Sequence, residues 1–191
     1  MGRSPPGVTV DPALEIPDPS VVLLIGAAGA GKSTFALGHF PADAIISSDA
    51  VRKAILGDAS DQTANGRVFA EVHRALDRRL AAGQLAVVDA TNLTAAGRRA
   101  IRERAGRAGM PAVAIVFALP ADLVRRRNAA RPGRQVPEAA VTRQLIALER
   151  ILDHGVLDGE GYQRIVKLDD PDAVERVTVR CSRGRARTGD P

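Results

Sequence analysis

Residues 21–35 read VVLLIGAAGAGKSTF, and this stretch limits the fold more than any other part of the chain. Val21 to Ile25 is short and wholly apolar, the pattern of a strand buried on both faces. A bare run of glycine and alanine follows, with the spacing G-x-x-x-x-G-K-S from Gly26 to Ser33. Residues 33–39 then suit a helix. Strand, glycine-rich loop and helix in this order form a phosphate-binding loop. Glycines let the backbone curl so that its N–H groups point inward. Those amides and the start of the following helix suit phosphate oxygens. Gly26, Gly29, Ala30, Gly31, Lys32, Ser33 and Thr34 are the candidate nucleotide-binding residues. Lys32 suits the outer phosphates, and the Ser33 hydroxyl suits a magnesium ion.

The remaining chain agrees with an α/β fold. Further strands are expected at residues 43–47, 85–89, 112–119 and 162–168. Helical patterns occupy residues 68–82, 95–108, 121–130 and 138–153. Such alternation predicts a parallel sheet of about five strands with helices on both faces. At 191 residues the chain suits one domain. The expected division is a flexible N-terminal arm over residues 1–19, a kinase-like domain over 20–179 with a lid near 125–137, and a disordered basic tail over 180–191. The arm is proline-rich, and the tail is rich in arginine and glycine.

Composition narrows the function. Net charge is +5, which suits a polyanionic ligand. Aromatic residues make up 3% of the chain, which argues against nucleic-acid binding that relies on aromatic stacking. Lysine is scarce and arginine abundant, and arginine's planar fork suits phosphate. Cys181 is the single cysteine, so neither an intrachain disulfide nor a cysteine-based zinc cluster is available. There is no long apolar segment and no signal-peptide pattern, so a cytoplasmic location without a membrane partner is expected.

Ligands of parallel α/β sheets gather at the carboxyl ends of the strands. Asp89 ends an apolar strand, where phosphate-loop enzymes place an acidic residue that supports magnesium. Thr91, Asn92 and Thr94 lie closer to the next helix and are better placed to cap it. Asp49 follows the second strand, with Arg52 three residues later. Asp49 could cap a helix, or it could orient an acceptor hydroxyl and take its proton. Arg52 would lie on the same helix face and could hold a phosphate of a polyanionic acceptor.

Residues 125–134 read RRRNAARPGR. Arg127 and Arg131 share a helix face, Pro132 and Gly133 break the helix, and Arg134 follows. A helix, a break and a second helix suit a lid whose arginines reach the outer phosphate. Arg125 and Arg126 fit a solvated face equally well. Arg98, Arg99, Arg102, Arg104 and Arg107 crowd another helix beside Glu103, and are expected to form a solvated face, with nucleic-acid contact as the alternative. Residues 57–67 carry no assignable roles beyond shaping an acceptor entrance.

Taken together, GAAGAGKSTFA, ISSDAVR, DQT, VVDATN, VFALP and the arginine run ending GRQV resemble a known family. It is the 5′-hydroxyl polynucleotide kinase module of bacterial polynucleotide kinase-phosphatase, a P-loop kinase of the AAA-type ATP-binding group. The resemblance spans residues 21–179. The combination of SSD-x-x-R, VVDATN and R-N-x-x-R-x-x-R-Q is far more specific than the phosphate loop alone. It implies ATP and Mg²⁺ as cofactors and a 5′-OH end of RNA or DNA as acceptor. It implies Lys32, Asp49, Arg131 and Arg134 as catalytic residues, with Asp49 the base toward the 5′-OH. Arg127 would bind the donor nucleotide, Arg52 the acceptor strand, and Ser33 and Asp89 the metal, Asp89 through water. Whether the kinase stands alone or is an excised module is left open, as is a homodimer. A kinase of small metabolites or nucleosides, and a non-catalytic nucleotide-dependent switch, are the competing readings.

Overall fold

A computed structural model describes residues 13–57, 65–132 and 135–183. The chain runs β1 (Ala13–Asp18), β2 (Val21–Ile25), α1 (Lys32–His39), β3 (Ile45–Ser47), α2 (Ser48–Leu56) and α3 (Asn65–Ala81). It continues through β4 (Ala86–Asp89), α4 (Ala95–Arg107), β5 (Ala112–Phe117), α5 (Ala121–Ala129) and α6 (Glu138–Asp153). It ends with β6 (Arg164–Leu168), α7 (Pro171–Arg176) and β7 (Thr178–Arg183).

Among the described residues the main sheet has five strands in the order β3-β4-β2-β5-β6. Every pairing in it is parallel. The expected α/β architecture is therefore present. Every residue of the inner strands β2, β4 and β5 is buried, which is why their sequences are nearly unbroken apolar runs. Strand side chains alternate between two cores. Val22, Leu24, Val113 and Ile115 pack with Phe35 of α1 and Val124 of α5. Val21, Leu23, Ala114 and Val116 pack with Val72 and Leu76 of α3 and Ile101 of α4. Helix α3 supplies its face through Val68, Val72, Leu76 and Leu80, spaced one turn apart and all buried.

The expected arm and tail need correction. Residues 13–18 and 178–183 are strands, and β1 pairs in parallel with β7 as a separate two-stranded sheet. Leu14 and Ile16 of β1 are buried in the first core together with Val177, just before β7. Their alternation with Glu15 is a strand pattern only two apolar residues long, and Pro17 obscures it. The pairing partner lies at the other end of the sequence, so no local feature announces it. Residues 1–12 and 184–191 lie outside the described residues.

Candidate active site

The phosphate loop leaves β2 at Gly26 and enters α1 at Lys32. Gly29 and Gly31 have φ of 87° and 90°, the left-handed region that disfavours side chains. A Cβ on Gly29 would lie 2.5 Å from the Val124 carbonyl oxygen and 3.1 Å from the Asn128 Cβ. The loop is thus pressed against α5, and glycine is required there for space as well as for φ. Gly31 is the N-cap of α1 and no side chain caps that helix. Its first amides are left for an anion, which the helix dipole also favours. Lys32 is buried, and its Nζ donates to the Ala27 carbonyl at 2.8 Å. A backbone cradle with a lysine folded over it fits a nucleotide's phosphates.

Ser33 Oγ donates to Asp89 Oδ2 at 2.7 Å. The structure therefore joins the two residues expected at the metal. Among the described residues no group of three His, Cys, Asp or Glu could hold a metal unaided. The one hydroxyl and one carboxylate present suit a magnesium ion whose other ligands are phosphate oxygens and water.

The strand end that carries Asp89 is braced from behind. Asn92 has φ 49°, and its side-chain amide donates to the carbonyls of Leu24 at 2.8 Å and Val88 at 3.2 Å. The Gly26 N–H donates to the Thr91 carbonyl at 3.1 Å, which ties the loop's first residue to the same turn. Thr94 caps α4 by accepting from the Gly97 N–H. Arg98 lies beneath, 1% exposed, and Nη1 donates to the Asn92 carbonyl at 3.1 Å. Its Nη2 meets Glu160 Oε1 at 2.6 Å, and its Nε reaches the same carboxylate. Arg102 donates to the Glu160 carbonyl and lies over the Tyr162 ring, 5.4 Å from its centroid.

The solvated face expected for α4 is therefore corrected: Arg98 is buried, Arg102 and Arg104 are half-buried, and Arg99 and Arg107 are exposed. The partner Glu160 is distant in sequence and left no signal within the helix. Burial alone would raise the Glu160 carboxyl pKa. The hydrogen bond and charge of Arg98, with the charge of Arg102, outweigh burial and hold it below the usual range.

A cleft of about 1040 Å³ opens over the phosphate loop. Gly29, Gly31, Lys32, Ser33, Thr34 and Asp89 line it, and so do Asp49 and Arg52. Ala30 and Gly26 are buried parts of the loop that support these residues from below. Asp49 does not cap α2. Ser47 does, accepting from the Ala50 N–H at 3.4 Å, and Asp49 occupies the helix's first turn. Arg52 lies one turn on and is 4% exposed.

Arg127 and Arg131 line the same cleft. The Arg127 guanidinium lies beside the phosphate loop, with Nη1 3.8 Å from where a Gly31 Cβ would stand. Arg126 instead pairs with exposed Asp122 at 2.6 Å on the outer face. Arg134 lies outside the described residues, as do residues 58–64. Asn128 ties the end of α5 to the segment that leads into α6, donating to the Val136 carbonyl at 2.8 Å and accepting from the Val136 N–H at 3.2 Å.

Several cleft residues had no role in the sequence reading: Phe69 of α3, Arg143 and Gln144 of α6, and Val174 and Glu175 of α7; Asn65 of α3, inside the segment expected at an acceptor entrance, lines the cleft too. Gln144 Oε1 accepts from the Ala28 N–H at 2.8 Å, so α6 holds the phosphate loop directly. Only the folded arrangement brings these helix positions to the loop; in sequence they are ordinary polar and apolar residues.

The sheet order, the glycine cradle and the Ser33–Asp89 pair define a P-loop nucleotide-binding domain of kinase-like build. Residues 21–151 match the AAA domain family, and the chain belongs to it. No curated protein matches the chain. Among solved structures, a chain of the Pnkp1/Rnl/Hen1 RNA repair complex is similar at TM-score 0.59 and 21% identity, over 73% of this chain and 47% of that one. This protein thus spans about half the length of that relative. A gluconokinase from Sinorhizobium meliloti 1021 is similar at TM-score 0.50 and 25% identity, over 83% and 89% of the two chains. Kti12 from Chaetomium thermophilum, in complex with ADP-AlF3, is similar at TM-score 0.59 and 12% identity, over 82% and 94%. Among the described residues no helix is long and apolar enough to cross a membrane.

Proposed function

We propose that the protein transfers the terminal phosphoryl group of ATP to the 5′-OH end of an RNA or DNA strand. One observation carries the reading: Asp49 and Arg52, one helical turn apart, line the same cleft as Lys32, Ser33 and the lid residues Arg127 and Arg131. A carboxylate and a buried arginine beside a phosphate loop suit an acceptor that brings both a hydroxyl and a phosphate. In the transfer, the acceptor oxygen bonds to phosphorus as the bond to the ADP oxygen breaks, and the Asp49 carboxylate takes the hydroxyl proton. Lys32, Arg127 and Arg131 offset the charge that builds on the transferred group. Arg134 belongs to this set by the family resemblance. A magnesium ion held by Ser33, and through water by Asp89, supplies further charge neutralisation when bound. The positive balance of the chain agrees with a polyanionic acceptor.

A second reading has its own support. The similarity to a gluconokinase runs over most of both chains. A small alcohol would use the same loop and lid. Salt separates the two, because an acceptor held through its phosphates binds more weakly as salt rises.

The test is label transfer from γ-labelled ATP to a short 5′-OH oligonucleotide with Mg²⁺, for wild type and Asp49→Ala. Labelled RNA or DNA with wild type is expected. Asp49→Ala should lower transfer by roughly 10²–10⁴-fold, the usual share of a general base, while ATP binding persists. ATP binding without label on either strand type would transfer the assignment to a small alcohol.

A further inference from the structure

We propose that Phe69 is the platform on which the nucleobase of the acceptor's 5′-terminal nucleotide stacks. The inference rests on the 5′-kinase reading and adds to it a subsite with a stated chemistry: a flat, aromatic ring.

The starting point is a phenylalanine that the core does not use. Helix α3 buries Val68, Val72, Leu76 and Leu80 as one stripe. Phe69 follows Val68 directly, so it is rotated about 100° off that stripe. The other phenylalanines, Phe35, Phe40 and Phe117, are 4%, 6% and 0% exposed. They pack on one another, with the Phe35 ring 5.3 Å from that of Phe117 and 6.4 Å from that of Phe40. Phe69 is 39% exposed. Leu37, Ile146 and Val156 are also exposed, yet of these four only Phe69 lines the cleft.

Its neighbours in the cleft indicate the ligand. Asn65 lies one turn earlier on the same face of α3, and Asp49 and Arg52 come from α2, which packs against α3. An acceptor nucleotide presents a hydroxyl, a phosphate and a planar base. Asp49 and Arg52 account for the first two. Phe69 offers an apolar, aromatic face for the third, and every base has a π-face to lay on it. One stacked base is what a chain with few aromatic residues can provide. A subsite of this kind favours an acceptor with a base on its first nucleotide and is indifferent to which base it is.

The experiment uses two 5′-OH oligonucleotides that differ only in whether the first nucleotide carries a base. Acceptor KM, kcat and the KM for ATP are measured for wild type, Phe69→Ala, Phe69→Leu and Phe69→Trp. Wild type should favour the base-bearing strand by roughly ten-fold in kcat/KM, the value of one base–aromatic stack. Phe69→Ala and Phe69→Leu should erase that preference through acceptor KM, and Phe69→Trp should keep it. The KM for ATP and turnover of the abasic strand should not change. Phe69→Leu keeps an apolar side chain without the ring, so it separates stacking from folding. Equal use of both strands by wild type, or Phe69→Leu matching wild type on the base-bearing strand, overturns the platform and leaves the kinase reading standing. A wild-type protein that labels neither strand overturns both.

Discussion

Helix α4 carries five arginines in 13 residues, Arg98, Arg99, Arg102, Arg104 and Arg107. The segment from α5 into the break carries Arg125, Arg126, Arg127 and Arg131. In sequence the two look alike: basic and helical, each with one acid close by. In the fold they differ. Arg98 is buried under the turn that carries Asn92, locked to Glu160. Arg127 and Arg131 line an open cleft beside the phosphate loop. The difference is set by what each helix packs against. Helix α4 packs into the second core, where the distant Glu160 carboxylate meets Arg98. Helix α5 is pressed against the phosphate loop that follows β2, at the strand ends where parallel sheets place their ligands. An arginine's role here follows from what its side chain packs against in the fold, and composition carries no record of that.

The largest effect that separates the two regions is on folding. Arg98→Ala leaves the Glu160 carboxylate buried without its main partner and should cost about 3–5 kcal/mol, seen as a lower denaturant midpoint. Arg131→Ala should leave the midpoint where it is. A stable Arg98→Ala protein would erase the contrast, because Arg98 would then be as dispensable to the fold as a surface arginine.

Next in size is the catalytic counterpart. Arg131→Lys turns a planar fork into a point charge and should lower kcat/KM by roughly 10²-fold with stability unchanged. Full activity in that variant would move Arg131 to the solvated face and leave Arg127 as the lid's contact.

A smaller effect sharpens the α4 side. Glu160 is held below the usual carboxylate range in the folded state, and its unfolded value is the ordinary one. Its contribution is therefore present above that unfolded value and is lost as pH falls through the folded value. Wild type should lose stability in that acid window, measured by thermal unfolding across pH. Glu160→Gln should show a shallower loss there, from a lower starting stability. Parallel pH profiles would mean that the Arg98 pair adds nothing to the fold.

How much of this was visible beforehand follows the same division. The five strands of the main sheet and helices α3 to α6 were legible within a few residues, because an unbroken apolar run or a one-turn stripe is a local signal. That the phosphate loop, Ser33 and Asp89, and Asp49 and Arg52 would lie together was legible because each sits in a short motif after a strand. The β1–β7 sheet was not, since its strands lie at opposite ends of the chain. Nor was Gln144, whose bond to the Ala28 N–H joins residues 116 positions apart. Phe69 was hidden differently: it sits beside a buried stripe, and only the fold shows that the core leaves it out.

Arg126 tests whether the contrast is one of place rather than of helix identity. It stands next to Arg127 on α5, yet pairs with Asp122 on the outer face, and both side chains are exposed. An exposed pair of this kind, four residues apart on one helix, contributes little. Arg126→Ala should therefore shift the denaturant midpoint barely at all and leave kcat/KM within error of wild type, while Arg127→Ala, one residue away, weakens ATP binding. If both variants impaired transfer equally, net positive charge on α5 would be the operative quantity. The cleft geometry would then not distinguish these arginines. Equal loss that disappears at high salt would give the same answer, because long-range attraction is screened while a direct contact to phosphate persists better.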